Sequence, residues 1–223
     1  ILFILMNIDS IKHTGIAAAY KGGSVLHAFL GKISTIRKKG AIDLVSEADI
    51  ASEKQIIDTI HSHFPDHSIL AEESGLNQGN TDYQWIIDPL DGTTNFTHQL
   101  PVFSVSIAFA VNGEIVLGLV FNPITEELFS AVKGNGAECN GSPIGVSNTA
   151  SVQESLLVTG FPYNFKEIFD SVIPRFTRCL RASQGVRRLG SAALDLCFVA
   201  CGRFDGFWEQ NLKPWDKAVS LLI

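Results

Sequence analysis

The stretch Trp85-Ile86-Ile87-Asp88-Pro89-Leu90-Asp91-Gly92-Thr93-Thr94-Asn95-Phe96 constrains the chain more than any other. An apolar run that reads as a strand ends abruptly in two carboxylates, a glycine and two hydroxyls. Asp88 and Asp91 lie three residues apart in a turn containing Pro89, so their carboxylates can converge while the Leu90 carbonyl stays free to face the same cation. Oxygen donors alone favour Mg²⁺ or Mn²⁺. Gly92 permits close backbone approach, and Thr93 and Thr94 can offer N–H and hydroxyl donors at the opening of a helix, where an anion is electrostatically favoured. A metal site abutting a phosphate site is one reading. A polar turn with a helix cap accounts for the motif equally well on its own.

Further acids shift the balance toward the metal. Ser68-Ile69-Leu70-Ala71-Glu72-Glu73-Ser74-Gly75 is a second apolar run ending in carboxylates, and Lys213-Pro214-Trp215-Asp216 supplies an isolated aspartate. Glu72, leaving an adjacent strand, can complete one cation site, and Asp216 can help hold a second. Two such ions, roughly 3.5–4 Å apart, stabilise both the attacking and the leaving oxygen of a phosphoryl transfer. A calcium EF-hand is disfavoured because Pro89 interrupts its ligand alternation. His61, His63 and His67 read as surface histidines rather than a metal cluster. Ser104 and Ser106 alternate on a strand without nucleophile-elbow glycines. Lys38 reads by default as a solvated charge, and Glu209 either contacts a substrate hydroxyl or is plain surface.

Composition bounds the function. The 223 residues are 46% apolar and 18% charged, as in an ordinary globular protein able to bury a substantial core. A formal charge of -6 argues against broad nucleic-acid or anionic-membrane binding, although Arg37-Lys38-Lys39 and Arg187-Arg188 are local basic spots suited to an anionic small substrate. Cys139, Cys179, Cys197 and Cys201 show no Cys-x-x-Cys pair, which fits free thiols in a reducing cytoplasm. The opening Ile1-Leu2-Phe3-Ile4-Leu5-Met6 is too short to span a membrane and reads as a packed or adventitious extension.

Along the chain, helical spacing from Ile8 to Leu30 is weakened at Gly22-Gly23, so a first helix is expected, either continuous or broken there. Ile33 to Lys38 and Ala41 to Val45 look like a hairpin, and Ser46 to Asp49 can cap a helix to about His63, stopped by Pro65-Asp66. Ser68 to Glu72 and Gln84 to Asp88 read as strands. Val102 to Val111, Glu114 to Phe121 and Glu127 to Val132 form a meander whose first turn is Asn112-Gly113, implying antiparallel sheet. Beyond Asn140-Gly141-Ser142-Pro143, short strands alternate with helices, with helical periodicity over Phe165 to Cys179, interrupted at Pro174, and over Ala192 to Cys201. A soft boundary near Ser147 divides a metal- and phosphate-binding region, 1–146, from a C-terminal α/β region, 147–223.

Four motifs, Ala71-Glu72-Glu73-Ser74, Asp88 through Phe96, Gly190-Ser191-Ala192-Ala193 and Trp215-Asp216, occur in an order that resembles the inositol monophosphatase family over nearly all the chain. The resemblance implies an α/β (α+β) fold, a layered αβαβα sandwich with an antiparallel sheet in the N-terminal half and a smaller mixed sheet in the C-terminal half. It also implies Mg²⁺-dependent, lithium-sensitive hydrolysis of a small phosphomonoester by a metal-activated water. Matched by position, Glu72, Asp88, the Leu90 carbonyl, Asp91 and Asp216 resemble metal ligands, with Glu72 and Thr93 orienting the water and Asp49 a supporting acid. Gly92 and Thr93 would contact phosphate, and Ala192, Glu209 and Asp216 the alcohol part of the substrate.

Gly190 to Leu196 favours the inositol branch over the nucleotide-phosphatase branch. Fructose bisphosphate, histidinol phosphate and adenosine bisphosphate remain alternative substrates, because the metal and phosphate motifs do not see the leaving group. A non-catalytic regulator using Arg187-Arg188 in a partner interface is the alternative of a different kind, and a homodimer is expected. Two departures stand out: Val219-Ser220 occupy positions where the family has small residues, and a further strand and helix are expected beyond Ile223.

Overall fold

The computed structural model describes residues 7–32, 36–38, 44–162, 164–219 and 222–223. The opening hexapeptide and the turn of the expected first hairpin lie outside the described residues, as does the side chain of Lys38.

Helix α1 (Ile8–Phe29) opens the fold and runs unbroken through Gly22-Gly23. Those glycines serve packing. A Cβ on Gly22 would lie 2.8 Å from Ile56 of α2 (Glu47–His63), and one on Gly23 would lie 2.6 Å from the Phe121 ring, so both let the helix approach its neighbours closely. Between the helices, β1 (Ile36–Lys38) and β2 (Leu44–Ser46) pair antiparallel. Helix α2 starts on a capping box: Ser46 N and Oγ donate to Asp49 Oδ2 at 2.8 and 2.6 Å, and Ser46 Oγ accepts from Ala48 N.

Eight described strands then build one sheet: β3 (His67–Ala71), β4 (Gly75–Asn77), β5 (Asn80–Asp91), β6 (Ser104–Val111), β7 (Glu114–Asn122), β8 (Glu127–Val132), β9 (Gly136–Cys139) and β10 (Ser142–Pro143), ordered 10-9-8-7-6-5-3-4. The expected meander is β6–β7–β8, and Asn112-Gly113, with φ of 50° and 79°, makes its first turn. The sheet is not antiparallel throughout, because β3 and β5 run parallel. Hairpin strand β4 pairs on the outer side of β3, and the chain recrosses its end at Gly79, where a Cβ would lie 2.7 Å from the His67 carbonyl oxygen.

Alternation along the strands separates two apolar layers. Trp85, Ile87, Val105, Ile107, Phe109, Leu117 and Leu119 face α1 and α2. Ile86, Ala108, Val120 and Phe129 face α5 (Ala192–Ala200) and the segment after α6 (Pro214–Lys217). Beyond α5 lies a second sheet, β12 (Gly185–Arg187), β11 (Leu156–Thr159) and β13 (Gly206–Trp208) in that order, with α4 (Phe169–Ala182) packed against β12. The layers are therefore αβαβα.

The small sheet departs from expectation in being parallel in both described pairings rather than mixed. A helix intervenes between each successive pair of its strands, α4 and then α5, and returns the chain to the same end. Helix α4 begins at Phe169, four residues later than the periodicity suggests, and Pro174 sits inside it without ending it. Its missing N–H omits one ladder bond.

Candidate active site

The acidic motif owes its geometry to a bulge. Asp88 pairs with Ser106 and Asp91 with Ser104, so three steps on β5 oppose two on β6. In an unbroken strand residues three apart face opposite sides of the sheet; the extra residue restores the alternation and puts both carboxylates on the α5 face, the side of Ile86 and Ala108. Pro89 occupies the bulge, where no ladder N–H is required. Ser52 Oγ donates to its carbonyl at 3.1 Å, and Leu90 N donates to Asp88 Oδ1 at 3.0 Å.

Gly92 follows in the left-handed region (φ 96°) and caps the short helix α3 (Thr93–Thr97), whose opening turn leaves N–H groups without helical acceptors. A Cβ on Gly92 would meet the Val102 carbonyl at 3.0 Å and the Gly190 carbonyl at 3.2 Å. Asn95 fastens the motif by donating to the Val102 and Leu189 carbonyls, both at 2.7 Å.

Glu72, Asp88, Leu90, Asp91, Gly92, Thr93, Ala192, Glu209 and Asp216 all line one cavity of about 1000 Å³. Glu72 follows β3, its N–H bonded to the Ile87 carbonyl at 3.1 Å. The Leu90 side chain belongs to the core, and its carbonyl accepts from Thr93 Oγ1 at 3.2 Å. Asp49 reaches the site through Thr93, whose hydroxyl also donates to Asp49 Oδ1 at 3.3 Å. Asp216, in α6, accepts from Lys213 N at 2.6 Å. Asp91 accepts from Ser191 Oγ at 2.5 Å, Ala193 N at 2.8 Å and Ala192 N at 3.3 Å, which joins the bulge to the start of α5. The Ala192 N–H is thus engaged by the protein's own carboxylate.

Burial raises the affinity of these acids for protons. Asp88 is pushed well above the usual carboxylate range by burial first and then by Glu72, Asp91 and Asp216. Burial lifts Asp91 to about 6 against the Ser191 hydrogen bond that favours its charged form. Asp49 and Asp216 are raised by burial, with hydrogen bonds from Ser46 and Lys213 opposing. Glu209 rises to about 7 and Asp195 to about 8, again through burial, then through neighbouring acids, with Arg188 opposing both.

Oxygen donors around buried, mutually repelling carboxylates suit a hard divalent cation, which would relieve both the repulsion and the burial cost. The donor set therefore fits Mg²⁺ or Mn²⁺. Among the described residues, no three His, Cys, Asp or Glu side chains are arranged to hold a metal ion as they stand. Asp91 and Asp216 instead spend oxygens on protein N–H and O–H groups, and each carboxylate retains further lone pairs for a cation.

The other sequence candidates lie elsewhere. His67 Nδ1 accepts from Trp85 Nε1 at 3.1 Å, and its ring stacks among Phe64, Tyr83 and Phe109, an aromatic cluster rather than a surface position. His63 bonds the Thr59 carbonyl of its own helix. Ser104 and Ser106 are buried, with hydroxyls lacking hydrogen-bond partners among the described residues. The four cysteines are free thiols, and no described helix is long and apolar enough to cross a membrane. Sequence reasoning assigned no role to Ser191, Asn95 or Asp195. A serine before an apolar helix is a cap signal that could have drawn attention to Ser191; Asn95 and Asp195 fall within marked motifs, but nothing local gives either a role of its own.

A model of the inositol monophosphatase family matches residues 7–223. The chain belongs to that family. Among its relatives, an inositol-1-monophosphatase of Synechocystis is 48% identical over 92% of this chain and 72% of its own length. A Nus factor SuhB of Pasteurella multocida is 43% identical over 97% of this chain and 82% of its own. In structure, the inositol monophosphatase of Anabaena superposes with a TM-score of 0.86 at 44% identity, covering 97% of this chain and 81% of that one. The SuhB protein of Bartonella henselae gives 0.91 at 39% identity, covering 96% and 83%. Membership of the inositol monophosphatase family supports a phosphatase hydrolase.

Proposed function

We propose that this protein is a Mg²⁺-dependent, lithium-sensitive phosphatase that hydrolyses a small phosphomonoester, with inositol monophosphate the preferred substrate. The observation that carries the reading is the bulge at Pro89-Leu90, which turns Asp88 and Asp91 into the same cavity as Glu72, Asp216 and the start of α3. Glu72, Asp88, the Leu90 carbonyl, Asp91 and Asp216 would hold the cations. Bound there, divalent ions would neutralise phosphoryl charge and make water a better nucleophile near neutral pH.

The chain's own groups do the rest. The Gly92 and Thr93 amides, at the opening of α3, would hold phosphate oxygens. Because the Thr93 hydroxyl gives its proton toward Asp49 and the Leu90 carbonyl, its lone pairs are left to accept one from a water, with Glu72 orienting that water. Glu209, Ala192 and Asp216 would meet the alcohol. Water oxygen bonds to phosphorus as the ester P–O bond breaks, and the alcohol leaves with a proton. A cytoplasmic homodimer belongs to the same proposal.

The test is phosphate release from inositol 1-phosphate, fructose bisphosphate, histidinol phosphate and adenosine bisphosphate, with and without Mg²⁺ and with added lithium. The reading expects Mg²⁺-dependent, lithium-inhibited release with inositol 1-phosphate fastest. Metal-independent release, or none, would overturn it. The relatives named Nus factor SuhB favour a second reading, a regulatory binding protein. That reading expects partner binding unaffected by Asp91→Asn, with no turnover.

A further inference from the structure

Beside the acidic bulge, where α5 begins, the cavity is lined by two further polar groups, Asp195 and Gln210, that the proposed hydrolysis leaves unused. Asp195, in the first turn of α5, is 1% exposed, and both its carboxyl oxygens lack a hydrogen-bond partner among the described residues. Gln210 Oε1 is likewise buried and partnerless. Both residues line the cavity, and Glu209 lies beside Gln210 in the chain. The backbone makes room for that wall: a Cβ on Gly160 would fall 2.0 Å from Glu209 Oε2. Arg188, the lining cation whose charge acts on both Asp195 and Glu209, lies over the Phe161 ring, 5.3 Å from its centroid.

The cavity is therefore polarised. Its α3 end offers donors, suited to phosphate, whereas the Asp195, Glu209 and Gln210 wall offers acceptors. A buried acceptor with nothing to accept from is costly, and a ligand that supplies donors removes the cost. Monohydric or aromatic alcohols bring one donor or none. A polyol brings several on neighbouring carbons.

We infer that Asp195, assisted by Gln210, is a specificity-determining residue that selects leaving groups carrying several hydroxyls, its carboxyl turning onto a hydroxyl donor of the bound polyol. The inference rests on the phosphatase reading and extends it to the choice of alcohol. Turning the Asp195 carboxyl breaks no hydrogen bond seen in the structure, so the wall can adapt to the hydroxyl it receives.

The experiment compares wild type, Asp195→Asn, Asp195→Leu and Gln210→Leu in Mg²⁺, with inositol 1-phosphate and p-nitrophenyl phosphate as substrates. Asp195→Leu keeps the bulk and removes the acceptor. It should lower kcat/KM for inositol 1-phosphate about 10- to 100-fold, chiefly through KM, and leave p-nitrophenyl phosphate within about twofold. Asp195→Asn, which keeps an acceptor, should recover most of the loss, and Gln210→Leu should lose less than Asp195→Leu. An equal loss on both esters, or no loss on either, overturns the assignment. Calorimetric titration with free myo-inositol reads the wall without turnover. Weaker binding to Asp195→Leu supports the assignment even if the phosphatase reading fails, and unchanged binding overturns it.

Discussion

Ser191→Ala tests the joint on which the site hangs. Ser191 Oγ donates to Asp91 at 2.5 Å and accepts from Leu194 N at 3.4 Å, so one hydroxyl both anchors the carboxylate and caps α5. A hydrogen bond to a charged group contributes about 1.5–3 kcal/mol and an N-cap about 1 kcal/mol. The cap bond here is long, and Asp91 keeps the Ala192 and Ala193 amides after the substitution, so the total should fall near the low end, about 2 kcal/mol. For a chain of this size that corresponds to a melting temperature lower by about 4–8 °C. Urea denaturation at pH 7 in chelator, followed by circular dichroism, measures it. In an Asp91→Asn background the same substitution should cost only about 1 kcal/mol, because the charged acceptor is gone, leaving a coupling of about 1 kcal/mol. A cost below about 0.5 kcal/mol in the wild type, or the same cost in both backgrounds, would refute the reasoning.

Gly160→Ala places a methyl where the Glu209 carboxylate now lies, and that carboxylate, the mobile end of its side chain, must move. KM for inositol 1-phosphate should rise about tenfold with the melting temperature nearly unchanged; steady-state kinetics and a thermal melt check both halves. Without divalent ions, pH should act through Asp91, Glu209 and Asp195, raised by folding to about 6, 7 and 8. A raised acid keeps its proton in the folded state where the unfolded chain loses it, so the contribution of these three groups is most favourable below the ordinary carboxylate pKa and is lost as pH climbs toward 8. Asp195→Asn should flatten the upper part of that fall, read from urea midpoints between about pH 5 and 8 in chelator; parallel wild-type and variant slopes would contradict it.

Features carried by neighbouring residues were legible in the sequence. The Ser46/Asp49 box, the Asn112-Gly113 turn, the meander and the acidic motif each rest on side chains a few positions apart. Features that depend on tertiary approach were not. The register shift at Pro89-Leu90 exists only against β6, so the sequence shows that Asp88 and Asp91 can converge across a turn but not that a bulge puts both on the α5 face. Gly22-Gly23 looked like a weak point because their use, contact with Ile56 and Phe121, lies outside α1. The parallel small sheet was implied by the alternation of strands and helices after residue 147 and was nonetheless expected to be mixed. The Asp91 to Ser191 bond joins residues 100 apart, and the unsatisfied carboxyl of Asp195 emerges only once α5 is packed.

Glu72, Asp88, Asp91 and Asp216 are proposed to act together on a divalent cation. Calorimetric titration of the metal-free protein with Mg²⁺ at pH 7.5 addresses that proposal directly, alongside Asp88→Asn and Asp91→Asn. Saturable uptake by the wild type, weakened about tenfold or more in each variant, is the expected result, since each substitution removes a charged oxygen donor. No uptake by the wild type, or equal uptake by all three proteins, would contradict it.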